Sequence, residues 1–343
     1  MHGSDLSDPG PGQPQAPGSS SAPRTGSPAP LRPAKPRELT FWAAVVCLLL
    51  LSTAVLWYTL GTHEVLGRDE NVTIVKLDQP DVMALLDATG IRFTGQPSNT
   101  QPLYFLLQYP FWDLVGRSAF MLRFLPSLFG LLAVVFTYKL GEALFSREVG
   151  LVGALLTALL PLHVRYAQIA RPYSMLAALS LASAYFLVRA LKTNRLAHWA
   201  GFVLVATLNF YGHYNALFVL AAEGLYAAVV WLATLFALLM KRQPPVRLAR
   251  LVRPVLGFLL VGILCLPGFI RLFGLPWVGV AGQAESGGSI AIELTRTFFQ
   301  ALMYRIGYRE TWIQVLFVGL MLLGLAATLY RGRWRSALLA VIW

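Results

Sequence analysis

Adjacent carboxylates and a few arginines are the residues of this chain that could do chemistry. Asp69 and Glu70 form an acidic pair in a polar segment, where a carboxylate can accept the proton of an attacking hydroxyl. Arg123, Arg165 and Arg171 lie beside or within apolar stretches, and an arginine fork matches the shape of a phosphate group. Together these side chains predict group transfer from a phospholipid-like donor to an acceptor alcohol.

Each of these residues also has a plainer interpretation. Asp69 and Glu70 could be ordinary solvent-facing loop acids. Arg171 could be an interfacial arginine that extends its head group to water, and Arg123 could simply begin a span. His213 is of a type found more often in packing or at interfaces than in catalysis. The choice between these interpretations depends on whether the fold brings the residues together.

The composition indicates where such a fold would lie. Of the 343 residues, 56% are hydrophobic and 13% are charged, whereas a soluble domain carries about 25% charged residues. Residues 39–60 contain no charge, and a helix of that length covers about 30 Å, the thickness of the hydrocarbon core. Further apolar runs typical of spans are 119–144, 150–168, 172–190, 199–211, 216–240, 255–275 and 313–330. We predict an all-α polytopic membrane protein with about eight spans.

The two ends of the chain differ from its middle. Residues 1–38 are rich in Pro, Gly and Ser and predict a disordered tail, which the basic residues before the first span place in the cytoplasm. Residues 39–343 then form one transmembrane domain of the plasma (inner) membrane. The apolar run 336–343 begins and stops, so we expect the chain to be truncated at its C-terminus. The net charge is +12, and the basic residues lie at the ends of the predicted spans. This placement indicates that they orient the protein in the membrane and do not bind nucleic acid.

The segment between the first two spans is predicted to be external. Residues 61–118 hold seven of the sixteen acidic residues, and the basic loops later in the chain then fall inside. Within this segment we expect an interfacial helix at 80–89 and a second interfacial or re-entrant helix at 102–115. A further external loop is expected at 276–312. This topology brings the acidic pair and the arginines to the same extracytoplasmic face, where charges cost about 2.5–3.5 kcal/mol each and so indicate function.

The sequence gives little sign of a cofactor. Cys47 and Cys265 both lie in apolar runs and predict neither a disulfide nor a metal site. A lone acidic pair is weak support for a metal, so a divalent ion stays possible and no cofactor is certain. The chain has neither a dinucleotide-binding glycine motif nor a P-loop. An enzyme of this kind would take its activated substrate from the membrane.

Five short motifs in a fixed order carry a family resemblance. They are Asp69-Glu70, TQPLYF at 100–105, LRFLPSLFG at 122–130, PLHVRYAQIARPY at 161–173 and YGHY at 211–214. In order and spacing they resemble the membrane glycosyltransferases of the GT-C fold, which include protein O-mannosyltransferases and the aminoarabinose transferase of lipid A. The chain departs from the family pattern at Gln101, where histidine is usual, and at Ile169, where glutamate is usual.

The resemblance implies a GT-C-like bundle with external interfacial helices and a specific reaction. A sugar would pass, with inversion, from a polyprenyl-phosphate carrier to a hydroxyl of a lipid, protein or glycan acceptor outside the cytoplasm. Asp69 would be the general base, and Glu70 would assist it or orient the acceptor. Arg171, Arg123 and Arg165 would hold the donor phosphate. The residues expected to line the pocket are Tyr104, Gln168, Tyr173, His213 and Tyr214.

Two other functions stay open. A transporter or flippase for a lipid-linked anion would also use the arginines and would explain Glu223, which lies within a predicted span. A non-catalytic remnant is the third possibility. Transporters often show inverted repeats and matching broken spans, and the chain shows no such symmetry.

Overall fold

A computed structural model describes residues 36–58, 60, 67–89, 102–240, 248–274, 322–324, 326–332 and 334–342. By its contacts the chain divides into two units, Met1–Trp42 and Ala43–Trp343. Of the first unit only the start of one helix is described, and every predicted site residue belongs to the second. The predicted tail lies outside the described residues apart from its last three positions, and the predicted external loop at 276–312 lies outside them entirely.

The described part of the chain is helical and contains no β-strand. Its helices are α1 (Pro36–Trp57), α2 (Arg68–Leu77), α3 (Val82–Ala88), α4 (Pro102–Pro110), α5 (Ala119–Leu144), α6 (Arg147–Leu159), α7 (Pro161–Ala167), α8 (Tyr173–Thr193), α9 (Leu196–Gly212), α10 (Ala216–Leu239), α11 (Ala249–Gly274) and α12 (Trp334–Ile342). A π-helical turn, Phe111–Val115, continues α4.

Four of these helices are long and apolar enough to cross a membrane, within the residues that the structure describes. They are α5, α8, α10 and the stretch Ala249–Ile270 of α11, and the bent pair α6–α7 makes a fifth if it counts as one span. Ala43–Trp57 within α1 and the whole of α9 are apolar but shorter. The all-α polytopic membrane class is thereby confirmed. Most of the predicted span at 313–330 lies outside the described residues.

The helix ends follow local sequence signals, and one predicted span is broken. Helix α5 covers the predicted 119–144, and the Ser118 hydroxyl caps its start by accepting from the Met121 N–H at 3.2 Å. The span predicted at 150–168 is bent rather than straight, because α6 and α7 meet at an angle of 65°. Leu160 there has an extended backbone, as expected for a residue that precedes proline.

Three short helices lie in the described parts of the segment between the first predicted span and α5, residues 67–89 and 102–118. Helix α3 and helix α4 with its π-helical turn confirm the helices predicted at 80–89 and 102–115. Helix α2, which carries the acidic pair, was not predicted. A buried apolar cluster joins these helices to α5 and α8; its members are Leu77, Leu85, Tyr104, Phe105, Tyr109, Trp112, Leu122, Leu125, Ala170 and Met175.

Close packing also sets the position of α7. Gly130 on α5 lies so near α7 that a Cβ at this position would be 2.5 Å from the Cβ of Ala167. The missing side chain therefore allows the end of α7 to rest against α5. The turn that follows α7, residues 168–172, is thus brought beside the start of α5, where Arg123 lies.

Candidate active site

The start of helix α2 is tied together by its own glutamate. Gly67 precedes the helix with an extended backbone, and its N–H donates to Glu70 Oε2 at 3.0 Å. This contact is the reach-back half of a helix capping box, in which the third helical residue satisfies an open backbone donor. Asp69 lies in the first turn of the same helix by its backbone, and its side chain is outside the described part of the structure.

Glu70 also forms a buried two-point ion pair with Arg123. Arg123 Nε donates to Glu70 Oε1 and Arg123 Nη2 to Glu70 Oε2, both at 2.8 Å. The two residues are 4% and 5% exposed, so each neutralises a charge that would otherwise be costly at this depth. The fork of Arg123 is therefore directed at a protein carboxylate.

The turn after α7 binds the same carboxylate. The Ala170 N–H donates to Glu70 Oε1 at 3.2 Å, and the Ala170 carbonyl accepts from the Thr73 hydroxyl at 2.9 Å. Glu70 thus receives four hydrogen bonds, which match the roughly four lone-pair sites of a carboxylate. Burial alone would raise the pKa of Glu70, but the hydrogen bonds lower it by more than burial raises it. The pKa of Glu70 therefore lies below its ordinary value.

Arg171 follows this turn and is differently placed. It is half-buried, and its Nε is buried without a hydrogen-bond partner. No described carboxylate forms an ion pair with it. Within the described residues, Arg171 therefore brings an unneutralised positive charge to the same region as the neutral Glu70–Arg123 pair.

Tyr104 on α4 lies in the electrostatic field of both Arg171 and Glu70. The side chain is fully buried, and its hydroxyl has no hydrogen-bond partner among the residues that the structure describes. Burial raises the pKa of Tyr104, and the charge of Arg171 opposes that change, so the hydroxyl keeps its proton. A buried donor without an acceptor costs about 1–3 kcal/mol, which makes Tyr104 a natural partner for an anionic oxygen.

An aromatic group extends the region toward the turn between α9 and α10. The ring of Tyr173 lies 5.9 Å from that of His213 and 5.2 Å from that of Tyr166. Burial first and the charge of Arg171 second lower the pKa of His213, so its imidazole is neutral near pH 7. The Asn215 N–H donates to His213 Nδ1 at 3.1 Å, which leaves the proton on Nε2.

The remaining predicted site residues are distributed around this region. Gln168 donates to the Leu56 carbonyl at 2.9 Å and so ties the turn to the end of α1. Tyr214 is half-buried, and its ring lies 6.5 Å from that of Phe210. Arg165 is exposed on α7, and no contact within the described residues joins it to Glu70 or Arg171. Its predicted role in phosphate binding stays a prediction, as do the roles of the other site residues.

Sequence reasoning missed Thr73. This residue is fully buried and bonds the turn that carries Arg171, yet in the sequence it is recognisable only as the last residue of a glycosylation sequon, Asn71-Val72-Thr73. The available signal was its spacing, because residues three apart share one face of a helix and Thr73 follows Glu70 by three positions. That signal was hidden because the segment reads as a polar loop.

No group of three or more His, Cys, Asp or Glu that could hold a metal ion occurs among the described residues. The described side chains in this region are instead an arginine that bonds Glu70, a tyrosine in the field of Glu70 and Arg171, and a histidine in the field of Arg171. Such a set provides hydrogen-bond donors for an anion. Chemically, the region combines donors for a phosphate with the helix that carries Asp69.

The sequence also matches a known protein family. The family model of dolichyl-phosphate-mannose-protein mannosyltransferases matches residues 96–267. The chain belongs to this family. It is therefore a membrane glycosyltransferase of the mannosyltransferase type. The matched region includes Tyr104, Arg123, Arg171 and His213, whereas the acidic pair lies before it. Comparison with curated proteins gave no match.

Proposed function

We propose that this chain transfers a sugar from a polyprenyl-phosphate carrier to an acceptor hydroxyl, with inversion at the anomeric carbon. The observation that carries the proposal is a pair of donors beside the helix of Asp69, Arg171 Nε and the Tyr104 hydroxyl, neither of which has a hydrogen-bond partner among the described residues. An interfacial arginine with no function would direct its head group to water. Here a guanidinium nitrogen is buried without a partner in the part of the chain that the structure describes, which suits an anionic ligand that arrives from the membrane.

The residues divide the work of the reaction. The acceptor oxygen attacks the anomeric carbon while Asp69 takes the hydroxyl proton, and the bond from that carbon to the phosphate oxygen breaks. The electron pair of the broken bond leaves on the polyprenyl phosphate, where Arg171 and Tyr104 stabilise the developing charge. The protonated Asp69 then loses its proton to water. The products are the glycosylated acceptor and the polyprenyl phosphate.

The ion pair narrows the roles that the resemblance implied for Glu70 and Arg123. Because both oxygens of Glu70 accept two hydrogen bonds each, Glu70 has no free site with which to take a proton or orient an acceptor. Because the Arg123 fork binds Glu70, its contribution to phosphate binding is smaller than that of Arg171. We therefore assign the base to Asp69 alone and the main phosphate contact to Arg171.

The site is proposed to face the extracytoplasmic side of the plasma membrane, with the N-terminus in the cytoplasm. Helices α5 and α8 both begin at the site and run away from it. Their far ends carry several basic residues, which are Lys139, Arg147, Arg189, Lys192 and Arg195. Positive charge gathers on cytoplasmic loops, so the opposite, site-bearing end lies outside.

The direct test is release of polyprenyl phosphate. Purified protein in detergent receives a polyprenyl-phosphate-linked mannose with a hydroxyl-bearing peptide or lipid acceptor, and both products are followed by mass spectrometry. The proposal expects equal amounts of glycosylated acceptor and polyprenyl phosphate, and an anomeric configuration opposite to that of the donor. Retention of configuration would contradict the mechanism. Movement of the donor across vesicles without either product would support the flippase instead.

A further inference from the structure

Two side chains of α2 hold the backbone of one residue, Ala170, in the turn that presents Arg171. Glu70 accepts from the Ala170 N–H at 3.2 Å, and Thr73 donates to the Ala170 carbonyl at 2.9 Å. Both polar groups of Ala170 are thus bound by residues three positions apart on a single helix face. Thr73, Glu70 and Ala170 are all buried.

The positions of these bonds in the chain give them a consequence. Ala170 directly precedes Arg171, and Asp69 directly precedes Glu70. The turn and the helix are about a hundred residues apart in sequence, so no local structure relates them. The contacts through Ala170 therefore fix the backbone that carries the proposed base relative to the backbone that carries the proposed phosphate ligand.

We propose that Thr73 is a positioning residue, which together with Glu70 clamps the backbone N–H and C=O of Ala170 and keeps Arg171 in register with Asp69. The inference rests on the proposed function for its catalytic meaning. Thr73 touches neither substrate nor reacting atoms in this mechanism. Its hydroxyl acts by setting a distance, and misplacement of a catalytic group by about 1 Å can reduce the rate of an enzyme by about 10²-fold.

The variant that tests the clamp is Thr73→Val, which keeps the shape of the side chain and removes the hydroxyl. Thr73→Ser keeps the hydroxyl and removes a methyl group. The matched control is Thr137→Val on α5, since the Thr137 hydroxyl also donates to a backbone carbonyl at 2.9 Å, that of Ala133 in its own helix. Thr137 contacts neither α2 nor the 168–172 turn through this bond.

Two measurements are made on each full-length variant. The first is kcat and donor KM with polyprenyl-phosphate-linked mannose, and the second is hydrogen exchange of the peptide that contains Ala170. We expect Thr73→Val to lower kcat by about 10²-fold, with a smaller change in donor KM and faster exchange at Ala170. Thr73→Ser should restore most of kcat and the protection of Ala170. Thr137→Val should leave kcat near that of the wild type.

The outcomes separate the clamp from the function on which it rests. Wild-type kcat in Thr73→Val would overturn the clamp, as would an equal loss of kcat in Thr137→Val. If the wild type itself releases no polyprenyl phosphate, the proposed function fails. Hydrogen exchange at Ala170 is then the measurement that tests whether Thr73 clamps this residue. Faster exchange at Ala170 in Thr73→Val then supports it, and unchanged exchange overturns it. If Thr73→Val does not fold, Thr73→Ala and Thr73→Ser provide the same comparison.

Discussion

Helix α5 carries an ion pair near each of its ends, and the two pairs differ in burial. Near its start, Arg123 and Glu70 are joined by two hydrogen bonds of 2.8 Å with side chains 6% and 5% exposed. Near its end, Glu142 pairs with Arg147 at 3.0 Å, with the arginine side chain 54% exposed. Water screens the second pair but not the first.

The difference shows that the buried ion pair serves the structure of the region beside the proposed catalytic residues. A buried pair costs free energy to desolvate and is kept only where additional hydrogen bonds complete it. Here those bonds come from Gly67 and Ala170, the residues next to the helix of Asp69 and next to Arg171. The exposed pair at the far end of α5 joins Glu142 to Arg147, at the start of the next helix along the chain.

The largest expected effect tests whether the reaction takes place at the end of α5 that carries the buried ion pair. Asp69→Asn removes the proposed base and leaves the shape of the side chain. Since a general base contributes about 10²–10⁴-fold, turnover should fall by that factor when polyprenyl phosphate release is measured. The control is Asp78→Asn, because Asp78 is exposed and pairs with Arg117. Turnover within a factor of two of wild type in Asp69→Asn would remove Asp69 from the mechanism.

The second prediction concerns Arg171, which forms no ion pair with a described carboxylate. Arg171→Lys keeps the charge but loses the planar fork, so turnover should fall by about 10²–10³-fold as for the loss of a transition-state donor. Arg147→Lys, in the exposed pair at the start of α6, should change turnover by less than a factor of two. Equal effects of the two substitutions would show that the site end has no special need for a guanidinium.

The third prediction compares the two ion pairs in stability. Glu70→Gln leaves a buried arginine without its counter-charge, which costs about 3–5 kcal/mol, whereas Glu142→Gln should cost less than about 1 kcal/mol. Thermal unfolding in detergent measures both. Replacement of Glu70 and Arg123 together by methionine should recover much of the stability that Glu70→Gln loses. A double variant less stable than Glu70→Gln would contradict the view that the unpaired charge causes the loss.

The fourth prediction tests the close approach of α5 and α7 at Gly130. Gly130→Ala places a Cβ within 2.5 Å of the Ala167 Cβ, and overpacking of this kind costs about 1–3 kcal/mol. Gly153→Ala on α6 is the control, since a Cβ there would lie at an ordinary 3.5 Å from Thr137. We expect Tm to fall in Gly130→Ala only. Similar Tm values would mean that α7 moves without cost.

The smallest effect is a dependence on pH. Because the pKa of Glu70 in the folded protein lies below 4.5, its bonds stabilise the fold above about pH 4.5, and this contribution is lost as the pH falls through the folded pKa. Tm of the wild type should therefore decline at acid pH, and Glu70→Gln should show a shallower decline from a lower starting value. Parallel curves for the two proteins would exclude Glu70 as the titrating group.

Sequence patterns predicted the apolar helices well and the site contacts poorly. Helix α5 matches its predicted bounds because a long apolar run and a serine cap are local signals. Helix α2 escaped prediction because its sequence is polar and its helical start depends on Glu70 reaching back to Gly67. The bend between α6 and α7 was missed although Pro161 marks it.

The site shows a similar division. Topology alone placed Glu70, Arg123 and Arg171 at one end of the bundle, since the order of spans decides which ends meet. It could not distinguish an arginine bound by a carboxylate from one that is not, because that depends on side-chain geometry across 53 residues of sequence. Thr73 was invisible for the same reason, since its bond to Ala170 crosses 97 residues.

The central claim is that Arg171 binds the donor phosphate and Asp69 acts only on the acceptor. Equilibrium binding of polyprenyl-phosphate-linked mannose to Asp69→Asn and Arg171→Ala tests it most directly. We predict that Asp69→Asn binds the donor as tightly as the wild type and that Arg171→Ala binds it about 10–100-fold more weakly, as for the loss of a charge-assisted hydrogen bond. Unchanged donor affinity in Arg171→Ala, or a comparable loss in Asp69→Asn, would contradict this division of roles.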